Sequence, residues 1–187
     1  MIITSLKTSP HELFEPAYLL NQANVPNVGD VSRERFQALI DVASHAWVVT
    51  EGEALIASLI AFTDTPATHS TLSAWPHKNF AWFKAYGFKA YGLKAHEQGE
   101  LGGFVYIDRV AVAEGERGRG VGRALYTQLI NELHEGQALC AEVNLLPERN
   151  EGSLSFHARL GFKPLADVRY SDDYEVRMLA YKRPESE

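Results

Sequence analysis

Three arginines and three glycines fall within seven residues, Arg117-Gly118-Arg119-Gly120-Val121-Gly122-Arg123. That mixture suits one task, the grip of a polyanion. Glycines let a backbone close around a charged group. A helix opening at this point adds the orphan amides of its first turn and the positive end of its dipole. Arginine side chains supply cationic donors. The chemistry is therefore pyrophosphate recognition. Spacing excludes two common cradles. Gly-x-x-x-x-Gly-Lys-Ser/Thr is absent, and Gly118, Gly120 and Gly122 sit at even intervals where a dinucleotide fingerprint needs Gly-x-Gly-x-x-Gly.

Such a cradle needs a strand leading in and a helix leading out. The run from Phe104 to Val112 predicts the strand. Val121, Leu125, Leu129 and Leu133 make one helical stripe, with Gly136 as its stop. Ala138 to Leu146 reads as another strand, and Asn150 to Leu160 as a short helix halted by Gly161. Upstream, residues 2–7 begin as a strand. Ser9-Pro10-His11-Glu12 has the form of a helix start, and Ser32 caps a second helix carrying Phe36, Leu39, Ile40 and Ala43. Ala46–Thr50 and Ala54–Phe62 form a hairpin around Glu51-Gly52-Glu53, and the alternating tail Tyr174–Tyr181 closes the sheet. Residues 64–103 carry Trp75, Phe80, Trp82, Phe83 and a tandem pair of five-residue units over 85–94. They read as an extended loop with some helical turns, functional or mobile by its length. The order β-α-α-β-β-(loop)-β-α-β-α-β-β describes a mixed α/β chain with helices on the faces of its sheet.

The totals bound the class. The 187 residues suit one domain spanning 1–187. Apolar residues are 45% and charged residues 22%, the balance of a soluble protein, and the net charge of -6 argues against a general nucleic-acid binder. Cys140 is the sole cysteine, so no intramolecular disulfide or thiolate cluster can form, and a reducing cytoplasm fits. No stretch approaches the ~20 apolar residues of a membrane span. The histidines His11, His45, His69, His77, His96 and His134 show no metal spacing, so no metal is expected.

A second motif follows the cradle: Asn150-Glu151-Gly152-Ser153-Leu154-Ser155-Phe156-His157-Ala158-Arg159-Leu160-Gly161-Phe162. Together with Arg117-Gly118-Arg119-Gly120-Val121-Gly122, it resembles the two signatures of the GNAT superfamily of acetyl-CoA-dependent N-acetyltransferases. The first signature is Arg/Gln-x-x-Gly-x-Gly/Ala. The second is Asn-x-x-Ser-x-x-Phe-Tyr-x-x-x-Gly-Phe. The likeness is sharp over about residues 104–163 and extends by element order to the rest, except residues 64–103. It implies a GNAT-like central twisted sheet, mixed but mostly antiparallel, of about six to seven strands with about four helices on both faces. It implies acetyl-CoA as cosubstrate, held by Val110, Ala111, Val112, Arg117, Gly118, Arg119, Gly120, Val121, Gly122, Arg123, Asn150, Ser153 and Phe156. The pantetheine arm would run along Val110–Val112 like an added half-strand, the Val112 amide would polarise the thioester carbonyl, and a primary amine would attack directly. A homodimer is common among relatives.

One position departs from the pattern. His157 stands where the family has the tyrosine that protonates the leaving thiolate. An imidazole, with its reference pKa of about 6.5, either takes over that role with a new pH dependence or leaves it to solvent. Asp108, sharing a strand face with Tyr106, Val110 and Val112, is one candidate base, or else a structural carboxylate paired with an amide or arginine. Glu142 is the other candidate. In relatives the acceptor lies between the first two helices and the loop before the central strand, which makes Asn24, Asp30, Trp75, Phe80 and Trp82 wall candidates; the aromatics serve equally as core anchors. The competing function is a GNAT-like module that binds acyl-CoA without turnover, as a sensor or interaction domain.

Overall fold

The computed structural model describes residues 1–8, 10–63, 68, 77–87 and 103–183. Ile2–Ser5 (β1), His45–Glu51 (β2) and Ala54–Thr63 (β3) pair antiparallel in sequence, with Gly52 at φ +60° in the β2–β3 turn. Between β1 and β2 lie Pro10–Ala23 (α1) and Arg33–Val42 (α2), both packed on β3. The cap expected at Ser9 lies outside the described residues. Ser32 caps α2 as expected, its Oγ accepting from the Arg35 amide at 3.2 Å, and Phe36, Leu39 and Ile40 are the buried stripe. Fully burying one such side chain is worth roughly 1.5–3 kcal/mol.

Within the long segment 64–103, the described residues form a short helix, Lys78–Trp82 (α3), continued by a π turn, Phe83–Gly87. Phe80 and Phe83 are buried there against Phe104 and Tyr106, at ring separations of 5.5 to 6.0 Å. Trp75 and residues 88–94 of the tandem pair lie outside the described residues.

Phe104–Val112 (β4) leads through a 3-10 turn, Glu114–Glu116, to Val121–Glu132 (α4). Ala138–Leu146 (β5), Glu151–Arg159 (α5), Lys163–Ser171 (β6) and Tyr174–Lys182 (β7) complete the order. The sheet has seven strands in the order β1-β2-β3-β4-β5-β7-β6. Its parallel pairing joins β4 to β5 over Phe104–Tyr106 and Ala138–Cys140; β5–β7 and β6–β7 are antiparallel. This is the mixed, mostly antiparallel sheet that the element order implies. Among the described residues α3 is a fifth helix, in the segment read as an extended loop with some helical turns.

One local expectation changes. Gly136, at φ +76°, makes the turn into β5 and does not stop α4, which ends at Glu132. The C-terminal strand joins the sheet as expected, with β7 lying between β5 and β6. Burial explains the placement. β7 hides Val176, Met178, Leu179 and Ala180, whereas β6 exposes Lys163, Pro164, Asp167 and Arg169, the polar and proline content that an edge strand tolerates.

The chain gathers into two compact units: Met1–Thr71 with Ile107–Asn131, and Leu72–Tyr106 with Glu132–Glu187.

Candidate active site

In the first unit, the outer half of β4 alternates. Arg109 and Ala111 are buried, while Val110 and Val112 are half-buried, as period two requires, and Asp108 shares their register with its side chain covered. The strand end is pinned by the Ala113 amide on the Ile56 carbonyl at 2.9 Å. The chain then turns through Gly118 at φ +79° and Gly120 at φ +84°, left-handed conformations that side chains resist. A Cβ added to either glycine would meet nothing within 4 Å. Backbone conformation therefore requires these glycines, and open space lies over both. The first backbone bond closing α4 runs from the Ala124 amide to the Gly120 carbonyl. The amides of Val121, Gly122 and Arg123 precede it, at the positive end of the helix dipole. This geometry fits a pyrophosphate.

Two of the cradle's arginines are engaged with the protein. Arg119 is held by Glu51, at 3.0 Å, and by Glu116. Arg117 reaches Asn24 Oδ1 at 3.0 Å. Arg123 is exposed on α4.

Asp108 is one half of a buried ion pair. Arg109 Nε lies 2.6 Å from its carboxylate, and the two side chains are 8% and 1% exposed for Arg109 and Asp108 respectively. The same guanidinium donates to Asn21 Oδ1 at 2.9 Å and to the Gly29 carbonyl at 3.2 Å. It ties β4 to the end of α1 and to the loop before α2. Asn24 therefore serves as a partner of Arg117, and Asp30 accepts from Gln22 at 2.8 Å.

In the second unit, β5 repeats the alternation, and Glu142, Asn144 and Leu146 form its less covered face. Asn150 caps α5, its Oδ1 accepting from the Ser153 amide at 3.0 Å. His157 is 5% exposed, edge-on to Phe156 and Phe162. Its Nδ1 lies 2.8 Å from the Ser153 carbonyl and 3.3 Å from Ser153 Oγ. A carbonyl only accepts, so Nδ1 carries the proton and Nε2 of the neutral ring does not. Burial holds the imidazole below its ordinary pKa, against the opposing effect of the Ser153 carbonyl. Burial also pushes the Cys140 thiol well above its ordinary range, as expected of an inert strand residue.

The structure thus groups Asp108, Val110–Val112 and Arg117–Arg123 in one unit, and Glu142, Asn150, Ser153, Phe156 and His157 in the other. Sequence reasoning misses the contacts of Arg109 and Arg117 with α1 and its loop. Their partners lie 80 to 93 residues away, and no local pattern marks them.

A model of the acetyltransferase (GNAT) family matches residues 10–162, most of the chain. No curated protein matches it in sequence. Among solved structures, the chain is similar to an aminoglycoside 6'-N-acetyltransferase complexed with coenzyme A (14% identity, 100% of this chain and 99% of that one covered, TM-score 0.68). It is also similar to the ribosomal-protein-S18-alanine N-acetyltransferase of Escherichia coli (17%, 100% and 96%, 0.67), and to NAA60 of Arabidopsis thaliana in complex with acetyl-CoA (15%, 92% and 95%, 0.61). At these identities the likeness concerns the fold.

Proposed function

The chain belongs to the acetyltransferase (GNAT) family, and we propose that it transfers the acetyl group of acetyl-CoA to a primary amine by direct attack on the thioester. The observation that carries this reading is the strand, left-handed glycine turn and helix start over residues 104–124, open above Gly118 and Gly120. In this reading the amides of Arg119, Gly120 and Gly122 take the pyrophosphate. Val110–Val112 line the pantetheine arm, and the Val112 N–H donates to the thioester oxygen as charge develops there.

The ammonium of the acceptor must first lose a proton. Glu142 is the better base, directly or through water, because the Asp108 carboxylate is already bound to Arg109 inside the fold. The neutral nitrogen then bonds to the carbonyl carbon, the carbon–sulfur bond breaks, and the thiolate leaves. His157 is a poor acid for it. Its neutral N–H is spent on the Ser153 carbonyl, and burial opposes the imidazolium. Solvent therefore supplies that proton.

The test is thiol release from acetyl-CoA against pooled amino acids, polyamines, aminoglycosides and short peptides. Amine-dependent release is expected. Saturable acetyl-CoA binding with no release from any pool would replace the transferase with a binding module.

A further inference from the structure

The buried polar atoms of the second unit that meet no hydrogen-bond partner among the described residues include Oδ1 of Asn79 and Oη of Tyr170. Buried polar groups are nearly always paired, so two orphans in one place need an explanation. They do share a place. Asn79, on α3 and 4% exposed, donates its Nδ2 to Tyr174 Oη at 3.1 Å. Tyr174, on β7, stacks on Tyr170 of β6, with centroids 5.4 Å apart and planes at 22°. Lys78, the chain neighbour of Asn79, sets its Nζ 5.4 Å from the centroid of the Tyr170 ring. The Glu142 carboxylate is near enough to act on the Tyr170 phenol. Burial first, then Tyr174 and Glu142, push that phenol up to about 12. The hydroxyl therefore stays protonated and uncharged at neutral pH.

The chemistry of this cluster selects its ligand. Asn79 Oδ1 can only accept, and Tyr170 Oη can accept through its lone pairs. The tyrosine faces and the carboxylate attract positive charge, and the Lys78 ammonium already lies over one of those faces. A carboxylate ligand would be repelled by Glu142. A quaternary ammonium has the charge but no N–H to donate. A primary ammonium has both, with donors for the Asn79 carbonyl oxygen, the Tyr170 lone pairs and the Glu142 carboxylate. We propose that Asn79 and Tyr170 form the subsite that receives the acceptor's unsubstituted ammonium group beside Glu142. Its identity as the acceptor's group rests on the transferase reading above; the binding of an ammonium does not.

The full chain is titrated with n-butylammonium and with n-butyltrimethylammonium, following side-chain amide and tyrosine NMR signals. The primary ion is expected to bind at least about tenfold more tightly. Tyr170→Phe removes only the unpaired hydroxyl, so butylammonium affinity should fall about fivefold or more while the melting temperature holds or rises and acetyl-CoA affinity is unchanged. Asn79→Asp, which keeps an acceptor, should retain binding. Equal affinity for the two ions, or unaltered binding by Tyr170→Phe, would overturn the subsite and leave the orphan atoms to water. Retained butylammonium selectivity without any amine-dependent thiol release would instead overturn the transfer and leave the ammonium site standing.

Discussion

At the scale of single residues, the glycine turn and His157 make separate predictions. Gly120 sits at φ +84° with open space where a Cβ would project, so Gly120→Ala suffers backbone strain and no clash. A cost of about 1–2 kcal/mol is expected by denaturant titration, with acetyl-CoA binding weakened. Gly120→Glu adds a negative charge to the cradle and should abolish that binding; unchanged affinity would put the cofactor elsewhere. His157 is buried with its pKa lowered by desolvation. A group whose folded pKa lies below its unfolded value binds more protons when unfolded. Its stabilisation is therefore full above the unfolded pKa of about 6.5 and is lost as pH falls through the folded value. Unfolding midpoints should drop between neutral and mildly acid pH, and His157→Phe should flatten that slope. The same variant should keep kcat within a few-fold at pH 8. A loss of the ~10²–10⁴-fold typical of a missing general acid would restore the imidazole to catalysis. The sequence showed His157 at the departure from the signature. It did not show that the ring N–H is already bound one turn back, because that depends on the rotamer within α5.

At the scale of elements, boundaries were legible wherever periodicity was strong. β4 and β5 match the apolar runs read at Phe104–Val112 and Ala138–Leu146, and the hairpin and α2 follow their turn and cap residues. Where the signal was one glycine, as at Gly136, the reading failed, since a positive φ serves a turn beyond a helix as well as a helix end. What positions β4 against α1 was invisible, because it is a buried polar contact between distant segments. Arg109 bonds Asp108, Asn21 and the Gly29 carbonyl at once. Removing one partner of a buried pair leaves the other charge uncompensated, so Arg109→Met should cost about 3–5 kcal/mol. The double variant Asp108→Asn with Arg109→Met should cost less than Arg109→Met alone. Kinetics separate this role from that of a base. Asp108→Asn should act mainly on the unfolding midpoint, whereas Glu142→Gln should lower kcat by roughly 10²-fold or more with little loss of stability. The opposite pattern would exchange the two carboxylates.

At the scale of the whole molecule, totals say little about the site. A net charge of -6 would disfavour an anionic cosubstrate if charge acted at long range. Salt screens exposed charges beyond about 8–10 Å, so the local field of a helix start and three nearby arginines decides instead. Strand order was equally hidden. The sequence contains seven candidate strands, but only the burial of β7 against the exposure of β6 sets the last strand inside the sheet. Ligand linkage gives the chain-level test of the cradle. A ligand that binds only the folded chain, at a hundred times its Kd, stabilises it by about 2.7 kcal/mol. For a chain of this size that is a rise in Tm of roughly 5–10 °C. If the cradle grips the pyrophosphate, acetyl-CoA should produce such a rise with the wild-type chain in a thermal melt, and so should desulfo-coenzyme A, which lacks the thiol. Gly120→Glu should show none of it. A shift of equal size in both proteins would mean that the molecule binds acetyl-CoA without the glycine turn.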